Sequence, residues 1–441
     1  MISAILFFAA QLSSLALAFT TLPIWIFFGY QIIYFMYHPN RWWYYSVPSL
    51  RYSLLFSLAV ITTAFIWRAR GRGLRILDSK PIVFLLLLLA WFFAVQIWSY
   101  SSVTHSFAAE HFVKTCVIAV AAFIICDSKK SIDVVLIGYV AGAAYLGYYT
   151  YQFGRTGYGR VEGIGTVDAP DVNDVAAMLA PAAVFALHFF WRYRSVYGRV
   201  GAVVCGAFIV NALVLMNSRG AYLGLLVGAA YYMWRLFYSR LSVENLRGKV
   251  ILVGILGFLA MIYVVDDSAI SRFVSLKDEA QTETPSSESG STRIYFWLAA
   301  IEMSKDHPMG LGAGGFVLNS HQYIREDVDT GRSRNRAVHS TWFQALTEVG
   351  YPGFILFLLM LLSAALSLEK ARRLLQQEND VESYLTVIGI QAACGAFLVS
   401  ITFLDRMRSE ALYWLVMLAA AAAQVYYFKS SKSASSSART T

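Results

Sequence analysis

Charge is scarce in this sequence: Asp, Glu, Lys and Arg make up only 14% of its 441 residues. A soluble domain carries roughly a quarter, so a water-soluble globular enzyme is excluded. Cysteine is scarcer still. Cys116, Cys126, Cys205 and Cys394 lie in or beside apolar runs without metal-ligand spacing, which argues against a disulfide framework or a zinc site and leaves small core residues. The formal charge of +9 comes in short clusters between apolar runs. Without a continuous basic stripe, nucleic acid is not expected as a partner. An internal repeat is also missing. The glycines from Gly310 to Gly315 lack the Gly-Lys-Ser/Thr ending of a P-loop and follow no βαβ unit, so they are not read as a nucleotide loop.

What the chain does have is apolar surface. Hydrophobic residues reach 58% and aromatics 15%, and the mean hydropathy is +0.54. This is the composition of an all-α polytopic membrane protein. Spans are expected near 2–19, 22–37, 52–67, 81–99, 112–126, 134–150, 173–190, 200–217, 219–238, 250–265, 340–367, 384–404 and 410–428. That gives 12 or 13 crossings, since residues 1–37 form either one bent pass or a hairpin. The first 18 residues mimic a signal peptide but have no basic residue ahead of the apolar stretch, and they read as a retained membrane segment.

Basic residues set the orientation. Arg68 to Lys80, Lys129 and Lys130, Arg192 to Arg199, Arg240 to Lys249, Lys370 to Arg373 and the tail from Lys429 alternate with loops poor in base, so the positive-inside rule places them in the cytoplasm. Four regions follow: an N-terminal transmembrane bundle (1–265), a large extracytoplasmic loop (266–339), C-terminal transmembrane helices (340–428) and a flexible cytoplasmic tail (429–441). Loops this long are usually functional or disordered. This one starts as a flexible Ser/Thr/Glu-rich stretch, becomes a helix capped by Ser291 or Thr292, and then turns tightly from His307 to Phe316. The helix that follows is interrupted at Gly350-Tyr351-Pro352-Gly353, a break tolerated in a bilayer where it packs on protein or lines a cavity. Ser340, Gln344, Thr347 and Glu348 share one polar face of it, and that face should point into a polar cavity, with Gln344 a substrate-binding candidate.

Several polar residues sit on the side where the charge rule expects few. Arg219, in a very short turn between two apolar helices, lies at membrane depth and is expected to be paired or anion-binding. Arg293 is near a helix start, where free amides also favour an anion. His339 opens the re-entering helix, where its imidazole is biased towards the neutral, proton-accepting form. Arg155, Arg160 and Asn173 belong to an earlier loop whose mixed chemistry suits phosphate, sugar hydroxyls or capping of the next helix alike. Two acidic pairs, Asp266-Asp267 and Asp327-Val328-Asp329, have the spacing of weak metal motifs, but basic side chains already offer the charge a metal would supply.

Taken in order and on one side of the membrane, Ser-Arg-Gly at 218–220, Thr-Arg at 292–293 and His-Ser-Thr-Trp at 339–342 resemble the O-antigen ligase family of bacterial inner membranes. Its superfamily also holds O-antigen polymerases and protein O-oligosaccharyltransferases. The resemblance implies a GT-C-like, metal-independent glycosyltransferase with no cofactor. The implied donor is a glycan on undecaprenyl pyrophosphate, and the implied acceptor a sugar hydroxyl of the lipid A-core at the periplasmic face. It places the family's essential His on His339 and its essential arginines on Arg219 and Arg293. A polymerase would use the same donor. A protein O-oligosaccharyltransferase fits less well with so short a tail, and a transporter fits less well with no repeat and one broken helix.

Overall fold

The computed structural model describes residues 2–155, 160–264, 292–328 and 333–428, and in these the chain is helical with short connections. The helices are α1 Ile2–Thr20, α2 Trp25–Met36, α3 Tyr52–Ala69, α4 Lys80–Val95, α5 Ser102–Ile125, α6 Lys129–Phe153, α7 Val172–Arg192, α8 Val196–Met216, α9 Arg219–Phe237 and α10 Leu246–Val264. After the large loop come α11 Thr292–Asp306, α12 Gly315–Tyr323, α13 Thr341–Gln377, α14 Val381–Ile401 and α15 Glu410–Ala423. Eight of these, among the described residues, are long and apolar enough to cross a bilayer. The other expected spans are also helices. α2 and α4 are apolar but only 12 and 16 residues long, while α9, α10 and α15 fill three more of the expected positions. Residues 1–37 form two helices joined at a Pro23 turn, not one bent pass.

The bundle is built around α15, in which every residue is buried. Trp414 is its centre, with Phe27, Tyr30, Tyr34, Phe35 and Tyr139 packed on it edge-on, an arrangement the ring quadrupoles favour. α9 packs closely on α14 because Gly224 and Gly228 leave room: a Cβ at either would collide with Ala396. Small residues allow such backbone approach in membranes, where lipid offers no hydrophobic drive between helices. The outer helices expose their apolar side chains, as Ile255, Leu256 and Phe258 of α10 do.

Connections sort to two ends. At one, which holds the basic clusters, Lys129 reaches Asp380 at 2.8 Å, Arg192 bridges Asp133 and Glu382, and Arg235 and Arg372 share Glu369. At the other, Tyr100 N–H donates to the Leu311 carbonyl at 2.8 Å and Val161 N–H to the Leu215 carbonyl at 2.9 Å. The second end also receives α11, α12 and the connection 402–409.

Candidate functional site

The site grows from the break in α13. Gly350 has φ +63° within an otherwise helical run, so the carbonyls just before it lose their helical donors. The Gly-rich turn replaces them: Leu311 N–H donates to the Thr347 carbonyl and Gly312 N–H to the Glu348 carbonyl, both at 2.9 Å. Trp91 Nε1–H takes the Val349 carbonyl at 2.8 Å. Irregular backbone at membrane depth is thereby satisfied by protein. Gly310, at φ +85°, packs directly on Gly350, and a side chain at either would strike the other's backbone. His105 steadies the turn, accepting from Ala313 N–H at Nδ1, 2.9 Å.

The polar face of α13 then meets the connection 402–409, Thr-Phe-Leu-Asp-Arg-Met-Arg-Ser. Ser340 N–H donates to Asp405 Oδ1 at 2.9 Å, and Thr341 Oγ1 donates to the Leu404 carbonyl at 2.7 Å while accepting from Arg406 N–H at 3.0 Å. Gln344 Oε1 accepts from Met407 N–H at 3.0 Å. Glu348 pairs with Arg408 and also accepts from Gly314 N–H at 3.1 Å. Glu348 thus ties the Gly-rich turn to the connection. The polar face is therefore buried against protein groups, with Gln344 engaged by backbone.

His339 and the two arginines border the same connection. His339 is half-buried at φ +51°, a left-handed backbone that a non-glycine residue adopts mostly at turns and functional sites. Burial pushes the Asp405 carboxyl above its ordinary range, and the neighbouring His339 opposes that rise. Arg293 Nη1–H lies 3.4 Å from the Phe403 carbonyl. Beside Arg219, the Gly220 backbone sits so close that an added Cβ would lie 3.3 Å from the Ser400 carbonyl and 3.4 Å from the Phe403 ring. Trp297 of α11 stacks on Phe343 at 5.6 Å and holds the Val338 carbonyl at 3.2 Å, which fixes the loop helix beside His339.

The earlier loop joins through residues other than those expected to bind. Arg406 is buried and faces Asp168 Oδ2 at 3.2 Å and Asp174 Oδ2 at 3.5 Å. Asp168 also accepts from Glu410 N–H at 2.9 Å and from Tyr34. Asn173 turns back on its own helix start, its backbone and amide nitrogens both donating to Asp171 Oδ1 at 2.8 and 2.9 Å. Arg160 stands 3.6 Å from Glu162, and Arg155 is exposed at the end of α6. Of the acidic pairs, Asp327 is held by Arg325 at 2.6 Å, whereas Asp266, Asp267 and Asp329 fall outside the described residues. Among the described residues no three His, Cys, Asp or Glu side chains gather to hold a metal ion.

Asp405, Arg406 and Arg408 were not singled out from sequence. A signal was present: two arginines in an eight-residue connection on the side where the charge rule expects few.

Comparison with known proteins agrees with the resemblance. Residues 204–358 match a family model described as O-Antigen ligase. The match runs from α8 into α13 and contains Arg219, Arg293 and His339. A distant relative, the "Exopolysaccharide production protein ExoQ" of Rhizobium meliloti (strain 1021), is 22% identical over 317 residues, covering 68% of this chain and 69% of its own. Over residues 204–358, then, this multi-pass membrane protein is similar to the O-antigen ligase family, and the likeness does not extend to the rest of the chain's length.

Proposed function

We propose that this chain is a glycosyltransferase that moves a glycan from undecaprenyl pyrophosphate to a sugar hydroxyl of lipid A-core, at the periplasmic face of a bacterial inner membrane. The observation that carries this reading is the meeting of His339, Arg293 and the Arg219 turn around one connection, residues 402–409. A base and two arginines at one end of a membrane bundle suit glycan transfer from a pyrophosphate donor.

The chemistry follows from the residue types. A sugar hydroxyl is a poor nucleophile at neutral pH, and a His within hydrogen-bond reach takes its proton as attack proceeds. The acceptor oxygen bonds to the anomeric carbon while the carbon–oxygen bond to pyrophosphate breaks, so the configuration inverts and the polyprenyl pyrophosphate leaves with the electron pair. Arg219 and Arg293 stabilise its growing negative charge through charge-assisted, bidentate bonds. Asp405 and Ser340 hold the backbone on which His339 sits. Gln344 supports the site by accepting from Met407 N–H, and Arg155, Arg160 and Asn173 carry no step of the reaction. No metal is needed, because the arginines supply the positive charge.

A second reading has an observation of its own. The relative named for exopolysaccharide production favours a polymerase, in which the acceptor is a second lipid-linked glycan. Purified protein reconstituted with polyprenyl pyrophosphate-linked glycan and lipid A-core, in EDTA, separates them. Glycan on lipid A-core supports the ligase, lengthened donor glycan supports the polymerase, and no covalent product from competent substrates refutes glycosyl transfer.

A further inference from the structure

At the basic end, far in the fold from the connection 402–409, α3, α4 and α5 enclose a groove of about 290 Å³ whose mouth is marked by Arg68. Ile61, Phe65, Leu89, Val117, Val120 and Ile124 are among its walls, and Arg68 is its one charged lining residue. From Ile61 to Arg68 the α3 wall rises roughly 10 Å, at 1.5 Å per residue. The groove therefore runs from mid-bilayer depth to the headgroup region, long enough to take part of an acyl chain.

The charge at the mouth favours an anion. Arg68 is exposed, and among the described residues no carboxylate pairs with it. Arg70, Arg72, Arg75 and Lys80 follow it, with Asp78 the only acidic residue in that stretch. Arg72 lies over the Trp67 ring at 5.0 Å, and Trp67 donates to Asp127 at 3.0 Å, an aromatic anchor of the kind that marks a membrane interface. An apolar slot, a guanidinium at its mouth and a basic cluster beyond are complementary to one class of ligand.

We propose that this groove binds an anionic phospholipid, with one acyl chain between α3 and α5 and the phosphate on Arg68. The site is independent of the proposed glycosyl transfer. Basic residues near a membrane surface attract anionic lipid by about 1 kcal/mol each, so losing Arg68 costs about fivefold in affinity.

The full-length protein in detergent, titrated with phosphatidylglycerol or phosphatidylcholine of identical chains and read by native mass spectrometry, tests this. Wild type binds phosphatidylglycerol the more tightly. Arg68→Ala weakens that binding about fivefold and leaves phosphatidylcholine unchanged, Arg68→Lys restores most of it, and Val120→Phe, which fills the groove, weakens both lipids. If Val120→Phe unfolds, Val117→Phe at a position 40% exposed replaces it. Equal binding of the two lipids by wild type overturns the proposal. So does phosphatidylglycerol binding that a folded groove-filling variant leaves intact, which would mean charge-driven adsorption without a chain in the slot.

Discussion

The two ends of the bundle use arginine in opposite ways. At the basic end, Arg192 of α7 meets Asp133 of α6 and Glu382 of α14 and Arg235 of α9 meets Glu369 of α13, across the ends of neighbouring helices. At the loop end, Arg406 and Arg408 pair with Asp168 and Glu348 deep in the protein, while His339, Arg293 and the Arg219 turn sit half-buried around the connection they brace. The first pattern staples helices. The second joins residues far apart in sequence into a floor, at whose edge the proposed transfer is placed. The difference teaches that arginines on the side where the topology rule expects few are tied to partners on that same side, here Asp168 and Glu348.

If that contrast is right, substitutions at the loop-end edge remove activity, a substitution in the floor beneath it removes stability, and one at the basic end changes stability little and activity not at all. Arg219→Ala combined with Arg293→Ala should lower the rate of reconstituted transfer by on the order of ten-thousandfold. Arg293→Lys alone keeps the charge but loses the bidentate fork, and the rate should fall on the order of a hundredfold. Near-normal transfer by that variant would deny a role in pyrophosphate recognition. Glu348→Gln tests the floor itself: it leaves Arg408 without its carboxylate and loosens the Gly-rich turn. The expected loss of stability, by thermal or denaturant unfolding, is on the order of 3 kcal/mol, at the low end for a buried pair because the Arg408 side chain is 22% exposed.

The smallest effect belongs to the basic end. Lys129→Ala should cost under about 1 kcal/mol, since the Lys129 side chain is 56% exposed, and transfer should be unchanged. Burial alone would raise the Asp380 carboxyl, but Lys129 and Ser383 outweigh it and hold it below the ordinary range. A depressed carboxylate contributes stability above its unfolded pKa and loses it as pH falls through the folded value. The difference between wild type and Lys129→Ala should therefore be present at neutral pH and vanish in acid, as unfolding temperatures against pH would report.

Much of the fold was legible in the sequence. The apolar runs gave the helices, and the glycines at 310–315 and 350 marked the two pieces of irregular backbone that proved to be packed on one another. Of the candidate site, His339, Arg219, Arg293 and Gln344 were visible because each breaks a local rule of charge or periodicity. Of Asp405, Arg406 and Arg408, the two arginines also lie where the charge rule expects few basic residues, but eight residues between two helices look like an ordinary turn. What makes them matter is contact with Asp168, Ser340 and Glu348, and the Arg406–Asp168 contact spans 238 residues. Such pairing is a property of the packed bundle, and hydrophobic periodicity carries no record of it.

The most direct test is one paired measurement on His339→Ala: its initial transfer rate from polyprenyl pyrophosphate-linked glycan and its unfolding temperature, on the same preparation. The account predicts a rate lowered by about 10²–10⁴ with unfolding close to wild type. Transfer at the wild-type rate by that folded variant would contradict it.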